Sequence, residues 1–310
     1  MTRNIRRCAV LLSLALLMFT PLAYAWQALG HMVIAKASLQ VLPDSMPAFF
    51  RTGWPDLASA TIIADCSVDP DSFKSPTAPQ LKSSEEPEHF IDLELLQNKP
   101  LPDTRRQYVE LCQELKVNPF TTGFLPYTLA EWTQRLTLAF AEHRRWPENK
   151  AIQAKCLVYA GILAHYAGDA CQPLHCTIHH NGRVSADNHR PHARIHVKVD
   201  GIIEWLKLDA ATIAKDLHPE AFPKLMPAII NQIMASNKLV DQVYELEKQF
   251  PDEATARKSG APQPIVDFAH ERAHAGAQFL AGLYLTAWAD SQKVTLVPWL
   301  VEAHEQDAKP

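Results

Sequence analysis

Apolar residues along this chain recur at helical spacing, and no stretch of any length alternates as a half-buried strand does. Thr128 to His143 places Leu129, Trp132, Leu136 and Phe140 on one face with charges opposite, which predicts an amphipathic helix. Lys150 to Cys171 reads differently. Its segment Ile152 to Leu163 is apolar almost all round, the pattern of a helix buried in the middle of a protein. Gly30 to Leu42 predicts a helix with His31 in its first turn, and Ala58 to Asp65 is a short apolar segment ending on an acid. Residues 66 to 104 are rich in Pro, Ser, Asp and Glu and read as loop around the short run His89 to Leu95. A long connection follows at 177 to 194, then helical stretches Ile202 to Leu217 and Pro227 to Gln249. A polar bend at 251 to 264 leads into a last helix, Ile265 to Ala289. No linker long or polar enough to divide the chain is present, and no repeat. The expected fold is all-α, a single multi-helix domain over residues 26–310.

The first 25 residues carry Arg3, Arg6 and Arg7, an apolar run from Ala9 to Phe19, and Ala23-Tyr24-Ala25. That is the layout of a secretory signal, so a secreted or periplasmic protein beginning at Trp26 is expected. The apolar run is too short to span a bilayer, and no membrane span is expected elsewhere. Removing three arginines and no acid takes the net charge from −4 to −7, which argues against a broad basic nucleic-acid surface. Five cysteines remain (Cys66, Cys112, Cys156, Cys171 and Cys176), enough for two bridges and a free thiol, with the pairing open. Glycine is scarce, at 10, and the phosphate-binding Gly-rich loops and the G-x-S-x-G elbow are absent. No nucleotide cofactor is expected.

Candidate chemistry centres on H-Y-A-G-D-A-C-Q-P-L-H, from His165 to His175. His165 and Asp169 are four apart and share a helix face, while Pro173 ends the helix and sets His175 outside its register. A buried helix presenting His and Asp inward must satisfy both groups, and a metal ion does so. The same spacing recurs in His196 and Asp200. Asp65 and His89 stand upstream, and Trp26 and His31 lie near the start. Histidine and carboxylate without thiolate suit zinc at a catalytic rather than a closed structural site.

Taken in order, Trp26 with His31, A-D at Asp65, H-F-I-D at His89, H-x3-D-x5-H at His165 and H-x3-D at His196 resemble a known family. It comprises the zinc-dependent single-strand nucleases of fungi and plants and the related bacterial zinc-dependent phospholipase C enzymes. The resemblance runs from Trp26 to about Glu204. It implies the all-α phospholipase C/nuclease type of domain and three zinc ions. One would be held by Asp65, His89, His165 and Asp169. A second would take the α-amino nitrogen and carbonyl oxygen of Trp26, His31, and Asp169 as a bridge. The third would take His175, His196 and Asp200. Two zincs about 3.5–4 Å apart share a hydroxide that attacks phosphorus in line, and Asp65 would orient it. Phe90 and Asp92 match positions where a base stacks and hydrogen-bonds, though an aromatic face and a carboxylate equally suit a choline headgroup. The resemblance therefore implies a monomeric nuclease acting on single-stranded DNA or RNA, with phospholipid as the alternative substrate.

Two departures bear on substrate. The nucleases carry Arg three residues after the position assigned here to Asp65, where this chain has Val68. Their Gly-Gly-Asn signature between the last ligand groups is replaced by N-G-R-V-S-A-D-N-H-R. His192, four before His196, offers an alternative to the pair His196 and Asp200. Two other readings compete. H-E-R-A-H from His270 to His274 fits a single-zinc metalloprotease with Glu271 as base and Glu302 downstream as a third ligand. The six histidines from His175 to His196 fit a metal carrier without catalysis.

Overall fold

A computed structural model describes residues 26–185, 187 and 193–307. The expected signal segment, His189 and His192 lie outside these residues. The chain is built around the helix Lys150–Asp169, which starts where the Asn149 side chain accepts from the amides of Ala151 and Ile152. Its buried residues surround it rather than forming one stripe, as the pattern predicts.

In chain order the helices before it are α1 (Ala28–Gln40), α2 (Ala48–Thr52), α3 (Ser59–Cys66), α4 (Asp69–Phe73) and α5 (Pro79–Glu85). Then come α6 (Arg105–Leu115), α7 (Pro119–Thr122), α8 (Leu125–Arg145) and the central helix, α9. After it stand α10 (Ile195–Trp205), α11 (Ala210–Ala214), α12 (Leu225–Asn237), α13 (Val240–Leu246), α14 (Glu253–Ser259), α15 (Gln263–Asp290) and α16 (Pro298–Asp307). The described residues hold no β-strand, only isolated bridges such as Trp54 with Leu57. The fold is all-α.

α9 packs against α1, α3, α8 and α15. One apolar cluster joins α8, α9 and the C-terminal half of α15. A second joins Trp26 and α1 to α10 and the N-terminal half of α15. The last turn of α9 ends between them. Glycine makes the approaches possible at two points. A Cβ on Gly161 would lie 2.4 Å from Cys66 Cβ and 2.8 Å from the Ile63 carbonyl on α3, and one on Gly168 would lie 2.9 Å from His31 Nδ1 on α1.

Several expectations change, including Pro227–Gln249, which divides into α12 and α13, and the bend at 251–264, which carries α14. Residues 66–104 are not simply loop, because Pro70 and Pro79 pre-set φ in the first turns of α4 and α5. α6 was not expected from apolar spacing and starts on a capping box between Thr104 and Gln107. The stretch 202–217 divides at Lys207, whose φ is 53°, and restarts where Asp209 caps α11. Its first half begins earlier than expected, at Ile195, which puts His196 and Asp200 on one helix. All five described cysteines are free thiols.

Candidate metal centre

Where α9 ends, His165 and Asp169 are fully buried on its last turns. The Nδ1–H of His165 donates to the Ser67 carbonyl at 2.8 Å, just past α3, so its Nε2 turns inward. That Nε2 lies 3.4 Å from Asp169 Oδ2 and 3.0 Å from His89 Nδ1. His89 ends a 3₁₀ turn, Glu86–His89, and its Nδ1 stands 3.1 Å from the same Asp169 oxygen. His31 stacks on His165 with ring centroids 3.9 Å apart, and its Nε2 lies 3.6 Å from Asp169 Oδ1. Asp169 therefore stands between the His31 side and the His89 side.

The 3₁₀ turn at Pro173 brings His175 back, with its Nδ1 donating to the His89 carbonyl at 2.7 Å. From α10, His196 Nε2 lies 3.4 Å from Asp200 Oδ2, and His175 Nε2 lies 3.9 Å from Asp200 Oδ1. The Gln172 amide holds Asp200 Oδ1 at 2.7 Å. Trp26 is fully buried beside these groups, its indole donating to the Gly168 carbonyl at 2.8 Å. The next amide, Gln27, donates to the Asp200 carbonyl, so the start of the described chain is tied to both helices of the centre.

Three sets of side chains offer ligand atoms within 4.8 Å of one another: His31, Asp71 and His165; His89, His165 and Asp169; and His175, His196 and Asp200. Zinc–nitrogen bonds of 2.0–2.1 Å in a tetrahedron set donors about 3.3 Å apart, close to the spacings of the second set. Both ring nitrogens of His31, the Nε2 atoms of His89, His175 and His196, and one oxygen each of Asp169 and Asp200 are buried without a hydrogen-bond partner. So many orphaned buried donors and acceptors are costly without a further group, and a divalent cation satisfies those that face the cluster, though not the Nε2 of His89, which faces away from it.

Burial pushes His31, His89, His165 and His196 well below the ordinary histidine range, and His175 down to about 4. The imidazoles are thus neutral, the form a metal binds. Burial drives Asp169 and Asp200 the other way, well above the carboxylate range. A bound dication would restore their charge.

Asp65 is the residue that the structure does not bring to this cluster. It sits exposed on α3, opposite the buried Ile63 and Ala64, and belongs to none of the three sets. Asp71 on α4 stands there instead, 3.8 Å from His165 Nε2 and only 10 % exposed. The helical phase of Ile63 and Ala64 is the signal that turns Asp65 outward. Lys74, three residues after Asp71, pairs with it at 2.5 Å.

A cleft of about 590 Å³ opens onto the cluster. It is lined by His89, His175 and His196, by Lys74, Phe90 and Asp92, and by Phe120 and His180. Phe90 and Asp92 thus fall beside the centre, with Asp92 buried. Phe120 is the aromatic residue that sequence reading missed, 59 % exposed at the edge of the cleft. His270 and His274 lie elsewhere, on α15, with rings stacked 6.2 Å apart and His274 Nε2 facing the Lys215 carbonyl. Among the described residues they join no metal-capable set.

No protein-family profile matches the chain, and no curated protein does. Among solved structures, "Alpha Toxin from Clostridium Absonum" aligns over 88 % of this chain and 66 % of its own length, at 15 % identity and a TM-score of 0.45. The chain thus spans just under two thirds of that protein. No helix of the described residues is long and apolar enough to cross a membrane.

Proposed function

We propose that the protein is a zinc-dependent phosphodiester hydrolase of the nuclease and phospholipase C kind that the ligand order resembles, holding up to three zinc ions. The observation that carries this reading is the buried constellation of orphaned imidazole nitrogens and carboxylate oxygens at the floor of an open cleft. Zinc held there would supply Lewis-acid polarisation of the phosphoryl group and a water of lowered pKa. His31, His89, His165 and Asp71 would hold two ions with Asp169 between them, and His175, His196 and Asp200 a third. If the chain is cut before Trp26, the α-amine and carbonyl of this residue are the further donors that the resemblance implies for the His31 side.

Lys74 lines the cleft and a neighbouring cavity that also contains Asp71, so its ammonium can meet the phosphate charge. Phe90 offers an aromatic face and Asp92 an acceptor, which suit a nucleobase beside the scissile phosphate. The same pair would suit a choline headgroup. Single-stranded nucleic acid therefore ranks as the first substrate class on the short Trp26-to-His31 spacing and on Asp rather than Glu at position 200, which resemble the nuclease branch. Exposed Phe120 supports a second reading, phospholipid, because an apolar ring at the mouth of a polar cleft suits an acyl or interfacial surface. Zinc-loaded protein assayed on single-stranded DNA, RNA and phosphatidylcholine vesicles decides between them. Turnover of none of the three would sink the phosphodiesterase reading.

A further inference from the structure

A histidine that binds metal through one ring nitrogen presents the other to the protein, and what that outer nitrogen meets sets the ring's orientation and basicity. In this centre the outer nitrogens meet different groups. Those of His165 and His175 are Nδ1, and both donate to neutral backbone carbonyls. His89 is turned the opposite way. Its Nδ1 faces His165 and Asp169, and its Nε2 points outward, buried and without a hydrogen-bond partner.

Facing that outer nitrogen is a carboxylate. Glu85 Oε1 lies 3.7 Å from His89 Nε2, four residues back across the junction of α5 and the 3₁₀ turn. The same oxygen accepts from the hydroxyl of Tyr166. Tyr166 is the neighbour of His165 on α9, and its ring packs on His89 with centroids 5.4 Å apart. Glu85 is 12 % exposed, so its charge is poorly screened.

We propose that Glu85, anchored by Tyr166, is a positioning residue that selects Nδ1 of His89 as its ligating atom and strengthens that imidazole as a donor. The inference rests on the metal-centre reading above. A proton on Nε2 shared with Glu85 leaves Nδ1 as the lone-pair nitrogen, and the nearby negative charge raises its basicity. The centre then treats its histidines unequally. The ion on His89 is held with charge-assisted support, whereas the outer nitrogen of His165 meets a neutral carbonyl and that of His175 donates to a neutral carbonyl with Asp169 Oδ1, a carboxylate of the centre itself, 3.7 Å away. Tyr166 ties this support to the helix that supplies His165 and Asp169, so the ring and its partners move as one unit.

The test is zinc affinity by chelator competition, resolved by equivalent, on folded wild type, Glu85→Ala, Glu85→Gln and Tyr166→Phe, with cobalt(II) spectra alongside. Glu85→Ala should weaken one equivalent about 10–100-fold and shift one cobalt band, leaving the other equivalents near wild type. Glu85→Gln keeps an acceptor without the charge and should fall between. Tyr166→Phe should move in the same direction by less. Equivalents all within twofold of wild type, or all weakened alike, would overturn the proposal. Should Glu85→Ala not fold, the isosteric Glu85→Gln carries the same test, with selective weakening supporting the proposal and no change overturning it. A wild type that holds no zinc overturns the centre and this inference together, whereas a loaded wild type indifferent to Glu85 overturns the inference alone.

Discussion

Asp71 and Asp65 are six residues apart, both acidic and both on short helices, yet only one meets the histidines. Asp71→Asn should therefore lose zinc and most phosphodiesterase activity, while Asp65→Asn leaves metal content unchanged. Metal analysis of the two purified variants checks this, and zinc loss from Asp65→Asn alone would reverse the assignment. Asp169→Ala should remove two ions together, because its oxygens face both His31 and the His89–His165 pair. A different expectation follows from His175, which burial holds down to about 4 in the metal-free fold. The unfolded chain takes up that proton near pH 6.5, so the unfolded state binds more protons between about pH 6.5 and 4. Stability is therefore intact above pH 6.5 and is lost as pH falls through this window, by about 3 kcal/mol for this group. Urea midpoints of EDTA-treated protein should drop across the range, and His175→Gln should flatten the slope by one proton.

The central helix positions the ligands only because its neighbours approach unusually closely, and glycine is what permits that. Gly168 lies three residues after His165 and directly before Asp169, with His31 against its missing side chain. Gly168→Ala should push the His31 ring away from Asp169, cost about 1–3 kcal/mol by overpacking, and release the ion on the His31 side first. Urea melts with zinc counting test this, and unchanged zinc at wild-type stability would refute it. The short helices α4 and α5 show a second limit on what the chain reveals locally. Their composition is that of a loop, but prolines at their first turns and burial of Pro70 against the domain make them the carriers of Asp71, Lys74 and Glu85. Helices this short are not stable alone, so tertiary packing decides them.

For the whole molecule, the proposed centre couples metal binding to the stability of the fold. Each ion that binds only the folded state stabilises it by about 2.7 kcal/mol at one hundred times its dissociation constant. EDTA should accordingly lower the melting temperature by several degrees, with recovery on adding zinc. An unchanged melting temperature would mean that the buried groups are satisfied without metal. Processing belongs to this scale too. Protein beginning at Trp26 should hold about one zinc more than protein with two extra residues, because only a free α-amine is a good ligand. Much of this was legible in the residues themselves. Continuous apolar pattern marked α9 as the buried helix, and fourfold spacing paired His165 with Asp169 and His196 with Asp200, because helical periodicity is a local property. The choice of Asp71 over Asp65, the cation at Lys74, the clamp of Glu85 and Tyr166 and the ring of Phe120 at the cleft edge were not. Those depend on which face a short helix turns to its neighbours and on how closely two helices meet. That is settled only when Gly161 and Gly168 let α3 and α1 close on α9, and desolvation then prices every polar atom left inside.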